Sequence, residues 1–214
     1  MVNQFQVWLG QQRIQTAAQA LRKHGFNVTI VNTRQDARSA VLEMIPPSAS
    51  VGIPGTVTIR ELGLLDALES RGNRVFHHWI PGLTSDQDTA ARISEMTADV
   101  FLTSGNAITL DGHIVNIDGS GSRVAAMIFG PSHVILVAGA NKVVKDVPAA
   151  ISHIKNIVAP MNARRLGAKT PCASLGICTD CDAPARICCV TTILERRPSK
   201  TPFDVILIGE PAGF

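Results

Sequence analysis

Hydrophobic positions along the chain switch repeatedly between two spacings. Between residues 4 and 24 the apolar side chains recur at roughly helical intervals, and Gly25 follows as a stop signal. Residues 26–31 then alternate apolar and polar side chains, as a half-buried strand does. The same two spacings of apolar residues predict further helices at 34–45, 57–70, 84–97, 122–129 and 147–158, and further strands at 50–53, 74–79, 99–103, 133–138 and 204–208.

This order of elements predicts an α/β fold. Helices that alternate with short strands rich in Val and Ile are typical of a doubly wound, mostly parallel sheet covered on both faces. Asp111-Gly112, between two apolar runs, adds a local antiparallel hairpin. Pro160 is expected to end the last long helix. The polar, cysteine-bearing stretch 160–200 is therefore expected to be an appended metal-binding module, and residues 1–159 with 201–214 the α/β domain.

Composition narrows the class of protein. With 214 residues, 45% hydrophobic and 17% charged, the chain is not disordered. No run approaches the roughly 18 uncharged apolar residues of a membrane span, and the first ten residues lack a secretion signal, so we expect a cytoplasmic protein. The formal charge of +3 comes from scattered basic residues without stacking aromatics, which argues against a nucleic-acid partner.

A glycine loop follows the strand at 50–53. The stretch Gly52–Thr58 carries Gly55, Thr56 and Thr58, and it leads directly into a predicted helix. Glycine lets the backbone approach a ligand closely, and free N–H groups at the helix start favour an anion. The alternative is an ordinary strand-to-helix turn.

A polar run of residues 103–123 offers a second half of a site. Small polar residues and glycines do not build a core, and together they indicate a cleft that grips a polar ligand. Asp118 is the acid/base candidate, and Arg123 is suited to a phosphate or carboxylate, or alternatively to a surface salt bridge. The candidate ligand-binding residues of this run are Asn106, Thr109, Asp111, Asn116, Gly119 and Arg123.

Three further positions are ambiguous. Lys142 follows a buried strand and is either a second anion-binding residue or a solvated lysine. Glu61 is a second candidate catalytic carboxylate, or else an exposed helix glutamate. His77 and His78 are adjacent and would point to opposite faces of a strand, which makes them poor joint metal ligands.

All five cysteines lie between residues 172 and 189. Cys178 and Cys181 form a C-x2-C pair, and Cys172 and Cys188 flank it, so four sulfurs can close around one centre. Zinc sites usually combine two short C-x2–4-C pairs, whereas this segment has one such pair with a single cysteine on either side. That spacing resembles the cluster loop of certain DNA glycosylases, which favours a 4Fe–4S cluster, with zinc as the alternative. Cys189 either replaces Cys188 or stays free, and the remaining alternative is a set of reduced or air-oxidised surface thiols.

The chain resembles the LUD-domain family of lactate utilisation proteins, specifically the branch with a C-terminal cysteine segment. The resemblance covers the chain to about residue 165. It is carried by Glu61–Leu65, Ala98–Asn106, Asp111–Gly119, Arg123–Ala126 and Gly139–Val144.

This resemblance implies a fold like that of ribose-5-phosphate isomerase, glucosamine-6-phosphate deaminase and CoA transferases. It also implies a component of 2-hydroxy-acid oxidation that binds a small anionic metabolite or cofactor and works with redox protein partners. The second hypothesis is a stand-alone isomerase-like or CoA-transferase-like enzyme with a structural zinc and Asp118 or Glu61 as the acting carboxylate. A homo-oligomer is compatible with either.

Overall fold

A computed structural model describes residues 4–214, in which helices and strands alternate. The helices are α1 Gln4–Lys23, α2 Arg34–Met44, α3 Val57–Glu61, α4 Leu64–Ser70, α5 Ser85–Met96, α6 Ser122–Ile128, α7 Val147–His153, α8 Ala159–Arg165 and α9 Pro171–Leu175. The strands are β1 Asn27–Val31, β2 Val51–Gly52, β3 Val75–Phe76, β4 Val100–Thr103, β5 Ala107–Thr109, β6 Ile114–Asp118, β7 His133–Gly139, β8 Val143–Val144, β9 Val190–Leu194 and β10 Phe203–Ile208.

The predicted doubly wound sheet is confirmed. Six strands pair in the order β1-β10-β7-β4-β2-β3, and every pairing is parallel. Strand β10, from the end of the chain, lies between β1 and β7. Such a sheet needs apolar cover on both faces, which explains the continuous Val and Ile runs of its central strands.

The two faces of the sheet carry two separate hydrophobic cores. Val134 and Leu136 of β7 pack into the core that includes α1 and α6. Ile135 and Val137, which point the other way, pack into the core formed with α2, α3 and α4. Because successive side chains of a strand face opposite sides, the apolar run of β7 serves both cores at once.

A smaller sheet of four strands, in the order β8-β5-β6-β9, packs beside the first. Ile108 and Ile114 face the α1 core, and Ala107 and Val115 face α7 and the π-helical turn after it. Strands β5 and β6 form the predicted antiparallel hairpin. Gly112 has φ +87° in the turn, and a Cβ there would lie 2.7 Å from a backbone carbon of Ala20, so only glycine fits.

Two helix predictions need correction. The helix predicted at 57–70 is divided into α3 and α4 by Gly63, whose φ of +60° takes the backbone out of the helix. The prediction that Pro160 ends the helix after 147–158 was wrong. The chain passes through a π-helical turn at Ile154–Val158 and continues as α8 to Arg165. Pro160 lies in the first turn of α8, where proline is tolerated.

The cysteine-bearing stretch joins the smaller sheet. It contains most of α8, the short α9 and the edge strand β9, which pairs antiparallel with β6 from Asp118↔Val190 to Ile114↔Leu194. This pairing places the cysteines beside the carboxyl end of β6. Of the helices between residues 4 and 214, none has the length and apolar character needed to cross a membrane.

Candidate functional site

A cavity of ≈ 290 Å³, called the cleft below, opens where β2, β4, β6 and β7 end and the following loops begin. Carboxyl ends of strands are the usual ligand site of open parallel sheets. Residues of both predicted halves of the site line it, together with groups from α5, α8 and the cysteine loop. The predicted residues among them are Gly55, Thr56, Thr58, Asn106, Asp118, Gly119, Arg123 and Lys142.

The charges around the cleft are unequal. Arg92, Arg123, Lys142 and Arg165 line it, whereas Asp118 has the one acidic side chain among its lining residues. In a partly enclosed cavity such an excess of cations is weakly screened and attracts anions.

Lys142 is buried at the cleft, with 3% of the residue exposed. Its Nζ lies 2.9 Å from Thr58 Oγ1, 2.9 Å from Ser104 Oγ and 3.2 Å from the carbonyl oxygen of Gly105. Within residues 4–214 no carboxylate oxygen lies within 4.0 Å of this ammonium group. Burial, followed by the nearby Arg123 charge, lowers the pKa of Lys142 to about 7.

Arg123 extends from the first turn of α6 toward the same loop. Its Nη2 donates to Asn106 Oδ1 and to the carbonyl oxygen of Ile117, each at 3.0 Å, and it lies 3.7 Å from Asp118 Oδ1. Burial lowers the pKa of Arg123 from its ordinary value. Arg123 Nε and Asp118 Oδ2 are buried without a hydrogen-bond partner in the described chain, so both can receive a polar ligand.

Two asparagines fix the loop that carries these groups. Asn116 Oδ1 accepts the backbone N–H of Asn106 at 2.9 Å, and Asn106 Oδ1 accepts that of Ile117 at 3.0 Å. Asn116 is fully buried and is not among the residues that line the cleft. It holds the β4–β5 connection against β6, and its predicted ligand contact stays a prediction.

The glycine loop was expected to bind an anion through its helix start and threonine hydroxyls, and the structure gives its groups other contacts. Gly55 and Thr56 line the cleft, but the Oγ1 of Thr58 contacts Lys142 and Ser104 instead of standing free. Helix α3 spans only five residues, so its backbone dipole is small. The attraction for an anion therefore comes from the cationic side chains.

Besides Asn116, three predicted residues lie outside the lining of the cleft. Thr109 Oγ1 accepts the backbone N–H of His113 at 2.8 Å, and Asp111 lies 3.3 Å from the His113 ring, so both belong to the hairpin turn. Glu61 Oε2 accepts the backbone N–H of Gly213 at 2.8 Å. None of the three is among the residues that line the cleft. Their predicted ligand-binding and catalytic roles stay predictions.

Sequence reasoning missed a histidine–glutamate pair on the cleft wall. His78 Nδ1 lies 2.6 Å from Glu95 Oε1, and Glu95 is 1% exposed. His78 lines the cleft beside Gly55, and its Nε2 lies 3.4 Å from the point that a Cβ on that glycine would occupy. A buried carboxylate bound to one ring nitrogen orients the other, the usual arrangement of a proton-transferring histidine. Seventeen residues separate the partners, so no local pattern indicates the pair.

The four predicted cysteine ligands line one small second cavity, called the thiol pocket. Cys172, Cys178, Cys181 and Cys188 all contribute to it, and Cys189 does not. All five are free thiols. In the structure of residues 4–214, no group of three or more His, Cys, Asp or Glu side chains is arranged to hold a metal ion.

Arg186 organises the loop around the thiol pocket. Its guanidinium donates to the carbonyl oxygens of Cys181 and Cys188 at 2.5 and 2.8 Å and to Asp180 Oδ1 at 2.9 Å. Burial raises the pKa of Cys188, and the Arg186 charge opposes that rise. The loop is thus folded around the thiols by side-chain to backbone bonds.

The cleft and the thiol pocket share a wall. Ala159, Ile187 and Cys188 line both cavities. This contact follows from the β6–β9 pairing, in which the backbone N–H of Cys189 donates to the carbonyl oxygen of Asp118 at 2.9 Å. Asp118 and Cys188 therefore lie at the same junction.

The sequence matches one known protein family over most of its length. The LUD-domain family model matches residues 14–208. The chain belongs to the LUD-domain family. The predicted family is thereby confirmed, and membership makes this a lactate-utilisation-type protein at the level of the family, while the branch with a C-terminal cysteine segment stays a prediction.

A solved structure supports the fold of this LUD-domain protein. A DUF162 family protein from Deinococcus radiodurans is similar over 93% of this chain and 98% of that chain, with a TM-score of 0.55 and 14% sequence identity. At that identity the likeness concerns the fold alone. No curated protein matches the sequence significantly.

Proposed function

We propose that this LUD-domain protein is a redox component of 2-hydroxy-acid oxidation, with lactate as the type substrate. In this proposal the cleft binds the small anionic acid, and the four cysteines of the thiol pocket bind a 4Fe–4S cluster. The observation that carries the proposal is the shared wall, because Cys188 lines both cavities and would bring a cluster ligand to the edge of the ligand site.

The lining of the cleft supports a carboxylate ligand. Lys142 is buried there, the Arg123 side chain is 15% exposed, and of the two only Arg123 has a carboxylate within 4 Å, Asp118 at 3.7 Å. A bound carboxylate would complete this charge balance and accept from Arg123 Nε, which lacks a partner in the described chain. His78, held by Glu95, offers a proton acceptor on the same wall.

The arrangement of the cysteines supports a cluster over a single zinc ion in this proposal. Tetrahedral zinc needs all four sulfurs about 2.3 Å from one point, and no such group of side chains is present in residues 4–214. A cubane cluster takes one thiolate at each of four separate irons, so its ligands surround a cavity, as these four do. Arg186 and Lys155 beside the pocket would offset the negative charge of thiolates that bind a cluster. When bound, the cluster supplies one-electron transfer, which suits exchange with redox protein partners.

The test is metal analysis on protein purified without oxygen. We expect a broad visible absorbance and about four irons with matching sulfide per chain, all lost in the double variant Cys178→Ser/Cys181→Ser. Cys189→Ser is the matched control, since Cys189 lies outside the thiol pocket, and it should keep the full iron content. One zinc and no iron, or iron retained in the double variant, would overturn the cluster.

The cleft is tested separately by calorimetric titration with L-lactate and with pyruvate. Arg123→Gln should weaken binding at least tenfold, because a charged hydrogen bond to a carboxylate is lost. Arg13→Gln, in α1 and outside the residues that line the cleft, is the control and should bind as the parent does. Unchanged affinity in Arg123→Gln would remove the cleft from the proposal.

A second candidate function rests on Asp118. Its Oδ2 is buried at the cleft without a partner in residues 4–214, as an acting carboxylate of a stand-alone isomerase-like or transferase-like enzyme would be. Turnover of sugar phosphates or CoA thioesters by the purified protein, lost in Asp118→Asn, would favour this candidate over the redox component.

A further inference from the structure

We propose that Lys142 forms a covalent imine with the carbonyl carbon of a small 2-oxo acid bound in the cleft. The substrate class rests on the proposed function, since a 2-oxo acid is what oxidation of a 2-hydroxy acid produces. The covalent step is additional to it, because anion binding alone needs no reaction at the amine.

The position of Nζ supports a reactive amine. Lys142 reaches the cleft from the turn after β7, and Thr58 Oγ1, Ser104 Oγ and the Gly105 carbonyl oxygen hold its Nζ. The side chain is thus fixed in one place at the lining of the cavity, where a carbonyl can meet it. An amine fixed in this way loses little freedom when it attacks.

The electrostatics favour the neutral amine, which is the form that attacks carbonyls. No carboxylate of residues 4–214 forms an ion pair with Lys142, and the positive charge of Arg123 outweighs the opposing negative charge of Glu61. Burial and that charge lower the pKa of Lys142 to about 7, so a large fraction is unprotonated at neutral pH. A lysine desolvated next to another cation is a recognised way of activating this nucleophile.

The other lining groups match a 2-oxo acid. Arg123 can take the carboxylate, which leaves the adjacent carbonyl free to face Lys142. The amine lone pair attacks the carbonyl carbon, and the oxygen gains a proton to give a carbinolamine. Loss of that oxygen as water leaves the C=N bond, with His78 and Asp118 available to carry protons. One water is released and no electrons are exchanged, so no oxidant or reductant is needed.

The experiment is reductive trapping with pyruvate and cyanoborohydride, followed by intact-mass and peptide-mass analysis. We expect one reduced pyruvate adduct per chain, located on Lys142. Lys142→Arg should lose the adduct, and Lys145→Arg is the matched control, because Lys145 is three residues away and its side chain is 82% exposed. Circular dichroism and calorimetric binding of pyruvate are recorded for each variant.

Four outcomes decide the question. An adduct confined to Lys142 and present in Lys145→Arg supports the imine. Pyruvate binding without any adduct overturns the imine and leaves the cleft as an anion site. An adduct of equal yield in a folded Lys142→Arg protein assigns the trapping to surface lysines and overturns it. If the protein shows no pyruvate binding and no adduct, the result overturns both the imine and the acid ligand of the proposed function.

Discussion

The imidazole Nδ1 of His78 lies 2.6 Å from Oε1 of Glu95, a carboxylate that helix α5 holds at 1% exposure. The two residues come from different elements: His78 follows β3, and Glu95 lies in the last turn of α5. Their contact therefore fixes the wall of the cleft to the helix behind it, and it leaves the other nitrogen of the ring for the cavity.

This pair predicts unequal effects of removing its two partners. His78→Ala leaves the buried Glu95 without its partner and should cost about 3 kcal/mol of unfolding free energy. Glu95→Gln keeps a polar group of the same shape and should cost about 1 kcal/mol. Urea unfolding at neutral pH measures both, and equal small losses would mean that the carboxylate is solvated instead of buried.

The asparagine contacts at β6 predict a local effect of Asn106→Ala. The variant loses the acceptor for the backbone N–H of Ile117 and for the Nη2 of Arg123, which should cost about 2 kcal/mol. Asn156→Ala, exposed on the π-helical turn, is the control and should stay within about 0.5 kcal/mol. Chemical denaturation compares them, and similar losses in the two variants would contradict the role given to Asn106.

The core of the fold could be predicted because its signals are local. β7 and β10 contain continuous apolar runs, at 134–138 and 205–208, and Thr84 caps α5 with the predicted polar first turn. Strand β9 could not be predicted from the sequence, since its side chains are largely exposed and only the pairing with β6 makes it a strand. The prediction that Pro160 ends the helix was wrong because a π-helical turn before it places this proline in the first turn of α8, where it is tolerated.

The residues of the candidate site also fall into a group that the sequence predicts and a group that it does not. Loop composition predicted Asp118, Arg123 and Lys142, which do line the cleft. Arg92 and Arg165 also line it, but each lies on a helix whose residue pattern gives no sign of facing a cavity. Contacts between residues far apart in sequence depend on how the two sheets pack, and that packing is not encoded in any short pattern.

Two glycines predict opposite responses to alanine. A Cβ at Gly52 would lie 2.1 Å from the carbonyl oxygen of Glu95, so β2 and α5 would have to separate, and Gly52→Ala should cost at least about 3 kcal/mol. Gly10, inside α1, has no atom within 4 Å of such a Cβ, and Gly10→Ala should add about 0.5–1 kcal/mol. Melting temperatures rank the two variants against the parent, and a neutral Gly52→Ala would contradict the close approach.

Lys142 predicts how stability depends on pH. Its pKa falls from an ordinary value of 10.5 to about 7 on folding, so between these values the unfolded chain binds the extra proton. The free energy of unfolding therefore rises with pH across this window, by up to about 1.4 kcal/mol per pH unit for one proton. Below pH 7 both states hold the proton and the contribution is flat.

Lys142→Met isolates this contribution, because methionine has a similar length and no charge. We expect the parent to be less stable than the variant near pH 6 and to approach or exceed it as the pH rises toward 10. The charged groups that act on Lys142 or respond to it, namely Arg123, Glu61 and His153, are the same in both proteins. Urea titrations at several pH values give the difference. Parallel stability profiles would show that Lys142 keeps its ordinary pKa, and so that its amine is solvated in the cleft.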